Sequence, residues 1–283
     1  MSDDMRFEYA IQEPALAIAP VFLALKKGNR NKLDVKRIFG NSTLNWRGPD
    51  AMGMVEQSVL LGLLSIAGQQ PFMLNPQNCH GTGKKILGLL TSSGLAINSD
   101  LAIMKANWAK IVMAAGYKTT GGKNTKIVRS AMKRLAEMTI WEERFGIEYE
   151  SRLLAWVSGD IDGVTLVLNL RATDALNGGQ HVKISLIERN ALSDDPSKAL
   201  HAWLSGHMRS GSTKSFNISV FQSHVWGSEI KEAGSTLGSR MKKLRSALVS
   251  IGLLPGWNCR LFPRDRVEVT RINEWTIDDK RKK

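Results

Sequence analysis

The stretch Ser235-Thr236-Leu237-Gly238-Ser239-Arg240-Met241-Lys242-Lys243-Leu244-Arg245 dictates a helix with two unlike faces. At about 100° per residue, Leu237, Met241, Leu244, Leu248 and Ile251 form an apolar stripe opposed by Ser239, Lys242, Lys243 and Ser246. Arg240 and Arg245 flank the stripe. A helix patterned this way buries one side in a core and offers the other to an anion. Ser235 or Thr236 is placed to cap it, which turns the positive end of its dipole outward. The pattern has an echo: Met132-Lys133-Arg134-Leu135 prefigures Met241-Lys242-Lys243-Leu244, 109 positions earlier. There Ile127, Ala131, Leu135 and Met138 are expected to point inward, with Lys126, Arg129 and Lys133 nearly opposite.

The spacing of the two motifs equals one small domain, so the chain reads as two modules in tandem. Its 283 residues give room for about two domains. The surrounding elements repeat in order. Strands are predicted at Leu33–Phe39 and Ser42–Trp46 around Gly40-Asn41, and a buried helix at Met54–Ala67. Gln69–Gly83 reads as loop, and Lys84–Leu90 and Ser99–Ala115 as helices. The first basic helix, Asn124–Met138, is followed by strands near Thr139–Trp141, Tyr149–Ser158 and Val164–Leu170. The second half offers helices at Ser193–Met208, opened by Ser193-Asp194-Asp195-Pro196, and at Ile218–Trp226. The second basic helix, Ser235–Ile251, then leads to a hairpin, Trp257–Phe262 and Arg266–Ile272, around Pro263-Arg264-Asp265. Helices, then a basic helix, then a β-hairpin is the winged-helix order, in which the last helix enters the major groove and the hairpin touches the flanking backbone. The expected class is α+β with two tandem winged-helix domains, 14–172 and 173–276, between a flexible N-terminus, 1–13, and a basic tail, 277–283.

Charge agrees with a polyanionic partner. Lys and Arg total 39 against 26 Asp and Glu, a formal net charge of +13. A membrane is the weaker target, because the longest apolar stretch, Ser58–Gly68, falls short of the roughly 20 residues of a span. Met1–Glu13 lacks the apolar core of a signal peptide. Cys79 and Cys259 suggest lone reduced thiols, which fits a cytoplasmic protein.

Catalytic patterns are thin. Gly81-Thr82-Gly83-Lys84-Lys85 misses the P-loop spacing and has Lys85 where a magnesium-binding hydroxyl belongs. The five histidines form no ligand pair at finger-like spacing, so neither metal nor cofactor is expected. No two histidines are separated by one residue, as a DNA-nicking relaxase requires. The eight tryptophans read chiefly as core anchors. The expectation is a non-enzymatic protein.

Specific likeness begins at Gly178-Gly179-Gln180-His181-Val182-Lys183-Ile184-Ser185. With Ile18-Ala19-Pro20-Val21-Phe22-Leu23-Ala24-Leu25-Lys26-Lys27-Gly28, Lys32-Leu33-Asp34-Val35, Gly48-Pro49, Leu64-Ser65-Ile66-Ala67-Gly68, Val225-Trp226-Gly227-Ser228-Glu229 and Ser235-Thr236, it resembles the RepC family of replication initiators from IncQ-type broad-host-range plasmids. The resemblance implies two winged-helix domains that bind direct repeats (iterons) at the origin, help melt adjacent AT-rich DNA and attract a plasmid-encoded helicase, with dimers possible. The family's second basic helix carries a longer basic run, interrupted here by Gly238 and Leu244. Gly178–Ser185 is expected to place the interdomain strand or the start of the second domain.

On this reading Lys126, Lys133, Arg134 and Arg264 or Arg266 meet phosphates, while Arg129, Ser239, Arg240, Lys242 and Lys243 read base edges. Ser235, Thr236 and Arg245 complete the expected contact set. The alternatives are a transcriptional repressor and a basic adaptor that docks acidic partners.

Overall fold

The computed structural model describes residues 7–26, 28, 30–69, 72–90, 99–158, 163–227 and 234–273. The first half runs through Tyr9–Gln12 (β1), Pro14–Ile18 (α1), Phe22–Leu23 (β2), Leu33–Phe39 (β3), Ser42–Gly48 (β4), Met52–Gly53 (β5) and Met54–Gln69 (α2). It continues through Phe72–Leu74 (β6), Thr82–Leu90 (α3), Leu101–Asn107 (β7), Trp108–Ala114 (α4), Gly122–Glu137 (α5), Thr139–Arg144 (β8), Ile147–Arg152 (β9), Leu154–Ser158 (β10), Gly163–Leu168 (β11) and Leu170–Leu176 (α6). The second half comprises Val182–Ser185 (β12), Leu186–Ala191 (α7), Asp195–His207 (α8), Thr213–Asn217 (β13), Phe221–Trp226 (α9), Gly234–Gly252 (α10), Trp257–Phe262 (β14) and Arg266–Arg271 (β15). The architecture is mixed α and β with several small sheets.

Helix α2 lies at the centre and from Val59 onward is largely apolar, with Val59 to Leu64 and Ile66 buried. It packs on both α4 and α5. At the α4 crossing Gly62 is a necessity of space: a Cβ there would stand 2.7 Å from the carbonyl carbon of Ala114. The second half repeats the arrangement, with α8 touching both α9 and α10. Each basic helix, α5 or α10, is therefore the third of a trio and runs directly into an antiparallel hairpin, β8–β9 or β14–β15. The first hairpin joins a sheet in the order β3-β4-β8-β9; the second joins β13 in the order β13-β15-β14. A further sheet, β10-β11-β7-β6, has its own small core in which Ile86 and Leu90 of α3 meet Leu101, Ala155 and Val167.

One core spans both halves. The N-terminal segment, expected to be loose up to residue 13, is instead a strap from Tyr9 onward. β1 pairs antiparallel with β12, Tyr9 opposite Ser185 and Gln12 opposite Val182. Ala24 N–H donates to the Val225 carbonyl at 2.7 Å. The segment is held because its apolar residues, Ala10, Ala15, Leu16 and Val21, have a second half to lie against. Residues 1–6 and the tail from 274 lie outside the described residues, so the basic tail does too.

Other expectations shift. Ser99–Ala115 is a strand and a helix, because Asn107 accepts from Lys110 N–H at 2.7 Å and starts α4 afresh. The supposed loop Gln69–Gly83 contains β6, and the expected boundary between residues 172 and 173 falls inside α6, capped by Asn169.

Gly62→Ala gains about 1 kcal/mol of helix propensity, but the backbone contact costs more. The expected outcome is a net loss of about 1–3 kcal/mol in urea denaturation at unchanged slope.

Candidate nucleic-acid interface

Both basic helices bury most of the stripe their apolar residues prescribe, but Leu237, expected on it, is exposed in the first turn of α10. In α5, Val128, Ala131, Met132 and Leu135 are fully buried. Ile127 is only half-buried, so the inward face is turned by one residue from the expected one. Lys126, Arg129 and Lys133 are exposed, with Lys123 one turn earlier. The Arg129 guanidinium carbon lies 4.4 Å from the centre of the Trp108 ring, so the arginine is stacked before any ligand arrives.

Arg134 is half-buried and paired. Its Nε donates to Glu56 Oε1 at 2.8 Å and its Nη2 stands 2.6 Å from the same oxygen. Glu56 lies in the first turn of α2 and is wholly buried. Its other oxygen accepts from Gly53 N–H at 2.7 Å and pairs with Arg30 Nη1 at 3.0 Å. Burial pushes the Glu56 carboxyl up, but Arg30, the Gly53 amide and Arg134 outweigh that and hold it below its ordinary 4.5. Arg134, expected at a phosphate, is thus engaged with Glu56 and fixes α5 against α2.

In α10, Lys242, Lys243 and Ser239 are exposed, while Leu244, Leu248 and Ile251 are buried. Arg240, expected at base edges, is buried, its guanidinium carbon 4.9 Å from the Trp226 ring centre. The echo shows why: Arg240 precedes Met241 as Ala131 precedes Met132, and Ala131 is a core position. Arg245 is exposed but paired with Asp265 in the β14–β15 turn, tying helix to hairpin. Arg264 and Arg266 are exposed at that turn, and so is Arg260, which sequence reasoning passed over. Its signal was the alternation Arg260-Leu261-Phe262; Arg260 lies over Phe262 at 5.1 Å. Thr236 sits in the first turn of α10 rather than before it, since the helix begins at Gly234. Ser235 is in the same turn, and its side chain lies outside the described residues. An open groove at this end of α10 is lined by Lys26, Asp195, Trp226, Ser239, Arg240 and Lys243.

The second half has a partly buried carboxylate of its own, Glu188 in α7. Glu188 accepts from Gly256 N–H at 2.9 Å and Trp257 Nε1–H at 3.0 Å, and meets His201 Nε2 at 3.1 Å. His201 is therefore a hydrogen-bonded core residue. Burial pushes the Cys259 thiol up to about 12, so it holds its proton at neutral pH. Among the described residues no group of three or more His, Cys, Asp or Glu is arranged to hold a metal ion, and no helix is long and apolar enough to cross a membrane.

Lys133→Ala and Arg134→Ala separate surface from strut. The first should change stability by less than about 0.5 kcal/mol. The second leaves Glu56 with a lost partner and should cost about 3–5 kcal/mol, both read by urea denaturation. Because the folded pKa of Glu56 lies below the unfolded one, its stabilisation is complete above about pH 4.5 and drains as pH falls through the folded value. Glu56→Gln should therefore flatten the acid side of the stability curve as well as lower it.

The comparisons agree with this architecture. The chain resembles the crystal structure of domains 2 and 3 of RctB (selenomethionine derivatives) with a TM-score of 0.53 and 10% identity, over 93% of this chain and 99% of that one. That likeness concerns the fold. No curated protein sequence matches the chain. The family model for replication protein C matches residues 4–273, and the chain accordingly belongs to the RepC family of replication proteins.

Proposed function

We propose that this chain is a non-enzymatic plasmid replication initiator that binds duplex DNA through two winged-helix modules. One observation carries the reading: two helix trios each present an outward basic face on the third helix, followed at once by a hairpin. In the second half the order α8, β13, α9, α10, β14, β15, with β13 against β15, supports the winged-helix reading. α10 would enter the major groove, with Lys242, Lys243 and Ser239 facing base edges. Arg260, Arg264 and Arg266 would meet the flanking phosphates. In the first half Lys123, Lys126 and Lys133 would hold the backbone, and Arg129 would act from its Trp108 platform.

The targets on this reading are direct repeats at an origin, with melting of adjacent DNA and recruitment of a helicase following binding. Family membership supports that role. The +13 charge supports a polyanion but does not select among sequences.

Titration of the full chain against labelled duplex repeats at several salt concentrations tests the assignment. Lys243→Ala should cost about 1–3 kcal/mol on the cognate repeat and relax discrimination there. Lys133→Ala should weaken cognate and scrambled duplexes alike and lower the salt slope by roughly one. Equal, sequence-blind weakening by both would favour the adaptor reading.

A further inference from the structure

The arginines of the two basic helices have different fates. Arg134 is taken by Glu56, Arg245 by Asp265, and Arg240 is buried over Trp226. Arg129 is the fourth. It is exposed, and among the described residues its guanidinium forms no hydrogen bond or ion pair. Its guanidinium carbon stands 4.4 Å from the centre of the Trp108 ring. The group is therefore held over an aromatic face while its N–H donors stay unclaimed.

Trp108 is itself fixed. It opens α4 and is only 8% exposed. Trp156 of β10 stands T-shaped to it, with ring centres 5.7 Å apart. Helix α5 touches both α4 and β10, so the platform is built from the elements that seat the helix. The second module has no counterpart. The echo, 109 positions on, sets Gly238 at the place of Arg129, and a Cβ there would meet nothing within 4 Å. Space does not forbid a side chain in α10; the stacked arginine belongs to α5.

We infer that Arg129 reads a guanine in the major groove, and that Trp108 is the positioning residue that sets its fork. The inference rests on the initiator reading and deepens it, giving the first module a base preference of its own. Orientation, rather than charge, makes the choice. Phosphates line the outside of the duplex, and mobile lysines such as Lys126 and Lys133 meet them from many directions. Guanine O6 and N7 lie side by side in the plane of the base pair and reward two N–H donors held in one orientation. Adenine sets a donor beside its N7, cytosine offers a donor, and thymine sets one acceptor beside a methyl group, so a fork of donors suits none of them. Fixing the guanidinium in advance lowers the ordering cost of the contact.

The test is a titration of the full chain against the cognate duplex repeat, a scrambled duplex, and repeats in which one guanine at a time is replaced by 7-deazaguanine, which lacks the N7 acceptor. Wild type should lose about tenfold in affinity at one such position. Arg129→Ala should bind that duplex and the unmodified repeat equally, with an unchanged salt slope. Trp108→Leu, which keeps apolar volume without the ring, should share this indifference, and Trp108→Phe should restore part of the discrimination. The readout is a ratio of two affinities, so a partly unfolded variant lowers both and leaves the ratio alone. The inference is overturned if Arg129→Ala weakens cognate and scrambled duplexes alike and lowers the salt slope by roughly one, the mark of a phosphate contact. It is overturned equally if Arg129→Ala leaves cognate affinity unchanged, as a protein carboxylate at this site would have it, or if no guanine distinguishes it from wild type. Full discrimination by Trp108→Leu would remove Trp108 from the positioning role. Sequence-blind binding by wild type would overturn the initiator reading and this inference with it, whereas each of the earlier results leaves that reading standing.

Discussion

The first turn of α2 is the joint on which the rest of the molecule is set. Glu56 is a buried charge, and a buried carboxylate is tolerable only when paired and hydrogen-bonded. Arg30, Arg134 and the Gly53 amide supply that pairing. The second half reaches the same turn through Arg189, whose side chain is wholly buried. Its Nη2 donates to Ser58 Oγ at 3.2 Å, while its Nη1 donates to the Lys198 carbonyl at 2.8 Å. Burial pushes the Arg189 pKa down to about 10, so the group remains a cation at neutral pH. α5 is thus placed by a carboxylate, and the C-terminal half by a guanidinium, within one turn of helix.

That geometry gives the family resemblance a physical setting. Val182–Ser185, at the end of the Gly178–Ser185 segment, is the strand that receives β1. The Ile18–Leu25 segment reaches Val225 through Ala24. Leu64, Ile66 and Ala67 lie in the shared core with Ile184 and Val225. The likeness therefore gathers where the halves meet. The outward faces of α5 and α10, which would choose a target, contribute only Ser235-Thr236 to it.

Much of the fold was legible because amphipathic patterning is local. The β3–β4 hairpin, α2, both basic helices and the β14–β15 hairpin follow from spacing and turn residues. What escaped notice depends on partners distant in sequence. Tyr9–Gln12 and Phe72–Leu74 are strands because β12 and β7 are there to pair with them, and polar Thr213–Asn217 is one because β15 is. The site was read by the same rule, which does not show partners distant in sequence. Counting charges marked Arg134 and Arg240 alongside Lys133 and Lys243, yet Glu56 claims the first and Trp226 covers the second. Only the register of the echo, which sets Arg240 at the place of Ala131, carried a warning.

The positively charged faces of α5 and α10 are the exposed surfaces that the core leaves over, and the central claim is that both lie on specific duplex DNA. A nuclease footprint of the full chain on the origin of its replicon tests this most directly. Protection of regularly spaced repeats that persists at physiological salt is the predicted result. Uniform protection without boundaries, abolished by modest salt, would contradict it.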